Sequence, residues 1–179
     1  YKNKLDEINV FPVPDGDTGT NMCFTLLPII EECKNKITED IDETLDIVAD
    51  TALESARGNS GTIIAQFIHG MRRSLRGKKL IENDDFSKAL TSGYDSAIES
   101  LMNPEEGTII TVMRDVSNKS KELCLENIEI SFEVFLDKCY HESVQSLEKT
   151  KNILKILRKS DVVDAGALGF VLLMQGWLN

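Results

Sequence analysis

Apolar residues recur at intervals of three and four along almost the whole chain, and this spacing is typical of amphipathic helices. One such stripe comprises Phe86, Ala89, Leu90, Tyr94, Ala97, Ile98 and Leu101. Residues 128–134 alternate between polar and apolar, a pattern that is also compatible with a β-strand. However, Ser131 also fits a helix N-cap, and three-four spacing continues from Phe132. The sequence therefore predicts an all-α fold.

Turn-forming and capping residues divide this pattern into separate helices. The predicted helical segments are residues 1–8, 20–34, 42–57, 62 onward, 86–101, 108–125, 132–147, 152–159 and 166–178. Asp84 or Asp85 is the expected cap of the fifth segment, and Pro28 is expected to bend the second. The first segment reads as the end of a helix that starts before residue 1.

The size and charge of the chain limit the classes of protein to which it can belong. It has 179 residues and 41% hydrophobic content, which suits one domain with a sizeable core. Its longest apolar run, residues 168–174, is too short to cross a bilayer. No basic, apolar-cored stretch of the secretory type opens the given sequence. The net charge of −10 disfavours nucleic acid or an anionic membrane as the main partner. We expect a cytoplasmic protein without a transmembrane segment.

The cysteines and histidines give no sign of a metal or disulfide framework. The four cysteines show no CxxC spacing and fall within predicted helices; they are Cys23, Cys33, Cys124 and Cys139. Reduced thiols in the core of a cytosolic protein are the expected state. Because the chain has only two histidines, a zinc site is not expected.

Four segments that lead into predicted helices carry glycine beside Asp, Asn, Ser or Thr. They read DGDTGTN, RGNSGT, EEGT and VDAGA. A helix start offers unpaired amides and the positive end of the helix dipole, and glycine lets a phosphate approach these amides closely. Several such starts at one end of a helical bundle would form an anion-binding site.

The first of these segments carries the strongest indication of a metal site. Asp15 and Asp17 lie two residues apart across a glycine, so a tight turn can aim both carboxylates at one point. Mg²⁺ prefers such hard oxygen ligands, and two carboxylates this close repel each other without a cation. Asn9 can supply a further oxygen directly or through water. The alternative interpretation is a polar turn that binds nothing.

Two common ligand loops do not fit the sequence. A calcium-binding EF-hand loop starting at Asp15 requires Gly at its sixth position and Glu at its twelfth, where this chain has Thr20 and Leu26. Neither a GxxxxGK[ST] phosphate loop nor a GxGxxG after a strand occurs. The usual nucleotide-binding folds are therefore disfavoured.

The other three segments each allow two interpretations. Residues 58–61 can cradle phosphate with their amides and the Ser60 hydroxyl, with Arg57 adding charge, or they can form a plain turn between helices. Thr108 can cap its helix or contact a ligand. Asp164 likewise fits an N-cap or a ligand contact.

Four motifs taken in order make the pattern far more specific than any one of them. They are NVFPVPDGDTGTNM at 9–22, ARGNSGTI at 56–63, EGTIITVMRD at 106–115 and VVDAGALG at 162–169. Together they resemble the ATP-binding domain of the bacterial fatty-acid kinase A family, which is related to the nucleotide-binding L domain of the dihydroxyacetone kinases. The resemblance spans essentially the whole chain.

This resemblance implies a fold, cofactors and a set of site residues. The fold would be a barrel-like bundle of about eight amphipathic helices, with the first partly missing. Residues 1–179 would be one nucleotide-binding domain, the N-terminal fragment of a longer kinase. ATP or ADP and two Mg²⁺ ions would bind at one end, with Asp15 and Asp17 as metal ligands. Asn9 stands where the dihydroxyacetone kinases have another Asp, which leaves the third ligand open.

The same resemblance assigns the residues around the nucleotide. They are Thr18, Asn21, Asn59, Ser60, Gly61, Gly107, Thr108, Arg158, Asp164, Ala165 and Gly166. Ala165 replaces a proline of the related motif, so detailed contacts do not transfer there. Arg158 matches a basic position of the dihydroxyacetone kinases, and it fits either a phosphate contact or a solvated charge at a helix end.

The implied reaction is phosphorylation of a fatty-acid carboxylate that a separate DegV-like protein carries, giving an acyl phosphate. Such chemistry depends on positioning and charge neutralisation, so no catalytic Ser or Cys is assigned. The isolated chain is expected to bind nucleotide with little turnover, and a homodimer of the full-length protein is left open. The alternatives are a dihydroxyacetone kinase L subunit and a non-catalytic ADP/ATP sensor. The PVP segment before Asp15 and the asparagine at position 9 favour the fatty-acid kinase.

Overall fold

The computed structural model describes residues 1–36, 38, 40–126 and 129–178. Within these residues the chain forms nine α-helices and no strand, which confirms the predicted all-α class. The helices are α1 (Lys2–Glu7), α2 (Thr18–Lys36), α3 (Ile41–Ser55), α4 (Gly58–Leu75), α5 (Asn83–Glu99), α6 (Ile109–Leu125), α7 (Phe132–Ile153), α8 (Lys155–Ser160) and α9 (Ala165–Trp177). In the described part of the chain, no helix combines the length and the apolar character needed to cross a membrane.

The chain divides into two compact units. The first comprises Tyr1–Thr20 and Asn103–Asn179, and the second comprises Asn21–Met102. The first unit therefore contains α1, the opening residues of α2 and α6 to α9. The second contains the rest of α2 and α3 to α5.

The core of the second unit forms where α4 and α5 approach closely. A Cβ at Gly70 of α4 would lie 2.3 Å from the carbonyl oxygen of Ser92, and a Cβ at Gly93 of α5 would lie 2.9 Å from that of Phe67. Each glycine thus removes a clash at the crossing point. Phe67 of α4 and Leu90 of α5 are both fully buried in this unit.

An ion-pair cluster joins α3 to α4 in the same unit. Arg72 of α4 is only 5% exposed, and its Nη1 lies 2.9 Å from Asp42 Oδ1. Its Nε lies 2.5 Å from Asp46 Oδ1. The bond with Arg72 outweighs the opposing effect of burial and lowers the pKa of Asp46. Because the guanidinium cation is buried, it needs nearby negative charge, and these two carboxylates supply it.

The core of the first unit lies among α6, α7 and α9. Val112, Val116, Phe135 and Phe170 are fully buried in it. Polar side chains in this core find local acceptors, as shown by the Thr150 hydroxyl, which donates to the Leu147 carbonyl at 2.7 Å. Such pairing of buried polar groups is the usual condition for a stable helical core.

Several predicted helix boundaries need correction. The helix expected from residue 62 already begins at Gly58, so residues 58–61 form its first turn. The N-cap of α5 is Glu82 rather than Asp84 or Asp85, while Asp85 accepts a hydrogen bond from the Glu82 amide at 3.3 Å and closes a capping box.

Other local predictions are confirmed. Ser131 caps α7 by accepting from the Val134 amide at 3.3 Å, so a helix rather than a strand follows it. Residue 128 of the suggested strand lies outside the described residues. Pro28 lies inside α2, and the bend expected there stays a prediction. The four cysteines are free thiols, but only Cys139 is buried in the core, while Cys23, Cys33 and Cys124 are half-buried. Burial raises the pKa of Cys139 to about 12.

Candidate functional site

The turn before α2 holds the two aspartates predicted to bind metal. Gly16 between them has φ of 67°, a left-handed conformation that suits glycine. Asp17 directly precedes the first residue of α2, and Asp15 is exposed. A pair of carboxylates on a tight turn is the hard-oxygen donor set that Mg²⁺ takes, with phosphate and water filling the remaining positions.

Asn9 holds Asp15 in place. It is only 5% exposed, and its Nδ2 donates to Asp15 Oδ1 at 2.7 Å. A donating Nδ2 cannot bind a cation, so the amide oxygen is the atom of Asn9 that can serve as a ligand. Asn9 therefore acts on Asp15 in this structure, and its predicted role as the third ligand stays a prediction.

The pair requires other oxygens to complete a metal shell. Among the described residues, no group of three or more His, Cys, Asp or Glu side chains is placed to hold an ion. The donor set at Asp15 and Asp17 thus fits an ion that is shared with phosphate and water rather than one caged by protein.

Asp6 of α1 is a residue at this turn that the sequence reasoning missed. Its Oδ1 accepts from the Thr20 amide at 2.9 Å, and its Oδ2 accepts from the Thr20 hydroxyl at 2.8 Å. Burial alone would raise the pKa of Asp6, but the bonds from Thr20 and from Lys2 outweigh it and the pKa is lowered. Asp6 and Thr20 are fourteen residues apart, so no local pattern indicates their contact.

The second glycine segment forms the first turn of α4. Arg57 occupies the N-cap position, and the first helical hydrogen bond runs from the Gly61 amide to the Arg57 carbonyl at 3.0 Å. The amides before Gly61 thus sit at the positive end of the helix dipole, where anions are stabilised. Asn59 is exposed, Ser60 is half-buried and Gly61 is buried.

Two side chains of α2 pack closely against this turn of α4. A Cβ at Gly58 would lie 2.2 Å from Asn21 Nδ2, and Gly58 has φ of 58°. A Cβ at Gly61 would lie 2.2 Å from Thr25 Oγ1. Thr25 is fully buried, and its hydroxyl accepts from the Arg57 amide at 3.2 Å while donating to the Asn21 carbonyl at 2.9 Å. Sequence reasoning named Asn21 and missed Thr25.

Arg57 and Arg158 both contact nearby main-chain carbonyls. The Nη1 of Arg57 donates to the Ala56 carbonyl at 2.8 Å. The Nη2 of Arg158 donates to the carbonyl of Asn152, in the last turn of α7. Both side chains are exposed. For Arg158 the structure shows a helix-end contact, and its phosphate contact stays a prediction.

Asp164 brings the third and fourth segments together. It is the N-cap of α9, and its Oδ2 accepts from the Ala167 amide at 2.8 Å and from the Ile109 amide of α6 at 3.1 Å. Its own amide donates to the Thr150 hydroxyl at 3.2 Å. Burial raises the pKa of Asp164 to about 6, against the lowering effect of the amide bonds. One carboxylate thus caps two helices.

Thr108 occupies the N-cap position of α6, but its side chain does not cap that helix. The Thr108 hydroxyl donates to the Glu105 carbonyl at 2.7 Å, while Asp164 takes the Ile109 amide. The expected capping bond from Thr108 is therefore wrong, because a carboxylate distant in sequence supplies it.

Gly107 and Gly166 both lie close to side chains of the first unit. Gly107 has φ of 86°, and a Cβ there would lie 2.8 Å from the Cβ of Ile153. A Cβ at Gly166 would lie 3.2 Å from Asp164 Oδ2. The neighbouring Ala165 is the buried first residue of α9. Four predicted nucleotide-binding residues, Gly107, Thr108, Asp164 and Gly166, thus belong to one connected part of the first unit.

A polar network fixes the segment before α6. The Gly107 amide donates to Thr111 Oγ1 at 2.8 Å, and the Thr111 hydroxyl donates to Glu106 Oε2 at 2.7 Å. Glu106 also pairs with Arg114. The Gly107 amide is therefore held by Thr111, whose hydroxyl is oriented by Glu106. The motif at 106–115 alone predicts no role for Glu106, Thr111 or Arg114.

Comparison with known proteins agrees with the pattern of these segments. The sequence model of the DAK2 domain family matches residues 12–179 of the chain. Protein YloV of Bacillus subtilis is 36% identical over 174 residues, which cover 97% of this chain and 31% of YloV. An uncharacterized protein of Staphylococcus saprophyticus is 37% identical over 185 residues, covering 100% of this chain and 32% of that protein. The chain thus spans about a third of the length of these relatives.

Proposed function

We propose that this chain binds ATP through Mg²⁺ held by Asp15 and Asp17. The chain belongs to the DAK2 domain family of dihydroxyacetone kinase-like proteins. The turn that presents these two carboxylates carries the proposal. Gly16 adopts the left-handed conformation that the turn needs, and Asn9 fixes Asp15 from a buried position. Hard oxygens on a rigid turn suit a cation shared with phosphate.

Three of the glycine segments would make distinct contributions to nucleotide binding. Asp15 and Asp17 would hold the ions, which neutralise phosphate charge when bound. The first turn of α4, from Gly58 to Gly61, would offer main-chain amides to phosphate oxygens. The segment from Gly107 to Thr108, whose main chain Asp164 fixes, would contact the nucleotide.

We further propose that the reaction is transfer of the γ-phosphoryl group to a fatty-acid carboxylate presented by a DegV-like carrier. A carboxylate oxygen of the acceptor forms the new bond to phosphorus, the bond from phosphorus to the bridging oxygen breaks, and ADP leaves. No side chain is needed as a nucleophile, so positioning and charge neutralisation are the contributions of the protein. The PVP segment before Asp15 and the asparagine at position 9 favour this acceptor over dihydroxyacetone.

Calorimetry of Mg-ATP binding tests the metal role. Asp15→Asn and Asp17→Asn should each abolish magnesium-dependent binding, because an amide lacks the charge that attracts the ion. Asp50→Asn, at an exposed position of α3, is the matched control and should bind as the wild type does. Unchanged affinity in either Asp15 or Asp17 variant would show that the proposed site is wrong.

The acceptor is tested with the full-length protein. Acyl phosphate formed from fatty acid on its carrier supports the fatty-acid kinase. Phosphorylation of dihydroxyacetone with a partner subunit supports the L-subunit alternative. Nucleotide binding without transfer to either acceptor supports a sensor, and it would refute the proposed reaction while leaving the metal site intact.

A further inference from the structure

We propose that Asp6 is a positioning residue that caps α2 in place of Asp17 and thereby leaves the Asp17 carboxylate available to a cation. The proposal rests on the metal role proposed above for Asp17. It concerns a residue of α1 that lies outside the glycine segments.

The geometry at the start of α2 carries the inference. Since α2 begins at Thr18, Asp17 stands at the N-cap and Thr20 at the third helical position. The side chain of an N-cap aspartate normally accepts from the second or third amide of its helix. Here the Thr20 amide donates to Asp6 Oδ1 at 2.9 Å. An amide has one hydrogen, so this bond withdraws the third amide from Asp17.

The second contact makes the arrangement specific to Asp6. The Thr20 hydroxyl donates to Asp6 Oδ2 at 2.8 Å, so both carboxylate oxygens are engaged by one residue of α2. Lys2 Nζ, 3.4 Å from Oδ2 on the exposed side, adds a weaker ion pair. The carboxylate of Asp6 thus has one orientation, aimed at the start of α2.

Close packing of α1 against the turn keeps Asp6 in that position. A Cβ at Gly19 would lie 2.2 Å from the Lys2 carbonyl oxygen and 2.9 Å from Leu5 Cβ, so α1 touches the main chain of α2. A Cβ at Gly16 would lie 3.6 Å from the Asp6 carbonyl oxygen. Leu5 is 5% exposed and anchors the short helix. The turn at Gly16 and the first residues of α2 therefore both pack against α1.

The bond from the Thr20 amide to Asp6 removes a competitor of the cation for the Asp17 carboxylate. A carboxylate bound to helix amides must give up those bonds before it can turn towards an ion. With Asp6 satisfying the Thr20 amide, Asp17 does not have to make that exchange. Residues that orient metal ligands in this indirect way typically change metal affinity by about 10–100-fold when removed.

Calorimetry with Mg-ATP on the full chain tests the idea. Asp6→Ala should weaken magnesium-dependent nucleotide binding by about 10-fold or more, because Asp17 turns to cap α2. Asp6→Asn keeps an oxygen acceptor for the Thr20 amide and should restore affinity to near the wild-type value. Lys2→Ala removes only the exposed ion pair and should bind as the wild type does. Wild-type affinity in Asp6→Ala would overturn the proposal.

Thermal unfolding without metal or nucleotide gives a readout that a merely structural role would not reproduce. In the wild type, Asp17→Ala should leave the midpoint almost unchanged, because Asp17 does not hold the Thr20 amide. In the Asp6→Ala background, the same change should lower the midpoint by about 2–4 °C, the size of one lost cap in a chain of this length. An equal effect of Asp17→Ala in both backgrounds would also overturn the proposal.

Two outcomes separate this inference from the proposed function. If Asp17→Asn abolishes Mg-ATP binding while Asp6→Ala leaves it intact, only the role of Asp6 is wrong. If Asp17→Asn leaves binding intact, the metal site itself is wrong. If Asp6→Ala does not fold, Asp6→Leu, which fills a similar volume but offers no acceptor to the Thr20 amide, takes its place: wild-type affinity and an unchanged midpoint effect of Asp17→Ala in Asp6→Leu would refute the role of Asp6.

Discussion

Replacing Asp164 tests how one buried carboxylate stabilises two helix starts. Its Oδ2 accepts from Ala167 at 2.8 Å and from Ile109 at 3.1 Å. Losing one cap typically costs about 1 kcal/mol, and a buried amide left without an acceptor costs about 1–3 kcal/mol. Asp164→Ala should therefore destabilise the chain by about 2–4 kcal/mol, which lowers the thermal midpoint by about 5–15 °C.

Asp164→Asn is the informative companion, because its amide oxygen can still accept both bonds. The folded pKa of Asp164 is raised to about 6 by burial, whereas an unfolded aspartate titrates near 4. The folded chain thus binds more protons than the unfolded chain between these pH values. Its unfolding free energy must therefore fall as the pH rises through this window, by up to about 3 kcal/mol.

Urea unfolding of the wild type and Asp164→Asn from pH 4 to pH 7.5 measures this contribution. The difference between the two isolates Asp164, because other carboxylates titrate alike in both. At pH 4 the two proteins should have similar stability, and at pH 7.5 the Asn variant should be the more stable. If the wild type is instead the more stable at pH 7.5, the amide bonds outweigh burial and the reasoning about the pKa is refuted.

Three further predictions concern the packing around the site and the cores. Removing both carboxylates with Asp42→Asn and Asp46→Asn should cost about 3 kcal/mol in urea unfolding, because the guanidinium of Arg72 is left buried without a counter-charge. Arg72→Met leaves only half-exposed carboxylates and should cost less; the opposite order would contradict this. Gly58→Ala should lower the thermal midpoint more than Gly77→Ala. Both glycines have positive φ, but only Gly58 has a side chain within contact of the added Cβ; equal losses would disprove the packing argument. Cys139 should resist a thiol reagent at pH 8 until the chain unfolds, because burial raises its pKa to about 12. Mass-spectrometric mapping of early labelling at that residue would contradict this.

The fold class was accessible from the sequence because helical periodicity is a local property. Each helix buries one stripe, and the stripe is visible without knowledge of what covers it. The start of α4 was misplaced because its opening glycines read as a turn. The packing of Asn21 and Thr25 against residues 58–61 makes helix the better conformation there, and neither partner is local in sequence.

The candidate site was accessible only where its chemistry lies within one short motif. Asp15 and Asp17 are two residues apart, and the turn between them needs only glycine. Local caps such as Ser131 were accessible, but the long-range ones were not, because Asp164 and Ile109 are 55 residues apart and Asp6 and Thr20 are 14 apart. Polar residues beside a helix start are the usual candidates for its caps, which is why capping was one of the two interpretations of Thr108. The structure shows that a distant carboxylate can take that role.

The caps of α2 and α6 share a consequence for ligand binding. In both, a carboxylate from elsewhere in the first unit accepts an amide of the opening turn: Asp6 for α2 and Asp164 for α6. The side chain that directly precedes each helix, Asp17 or Thr108, does not take the amide bonded by that carboxylate. A helix start that must be stable before a ligand arrives, and still present a side chain to that ligand, needs a cap supplied from another element. Asp164 itself is committed to two amides, so in the proposed nucleotide site it would fix the main chain around Thr108 rather than bind the ligand.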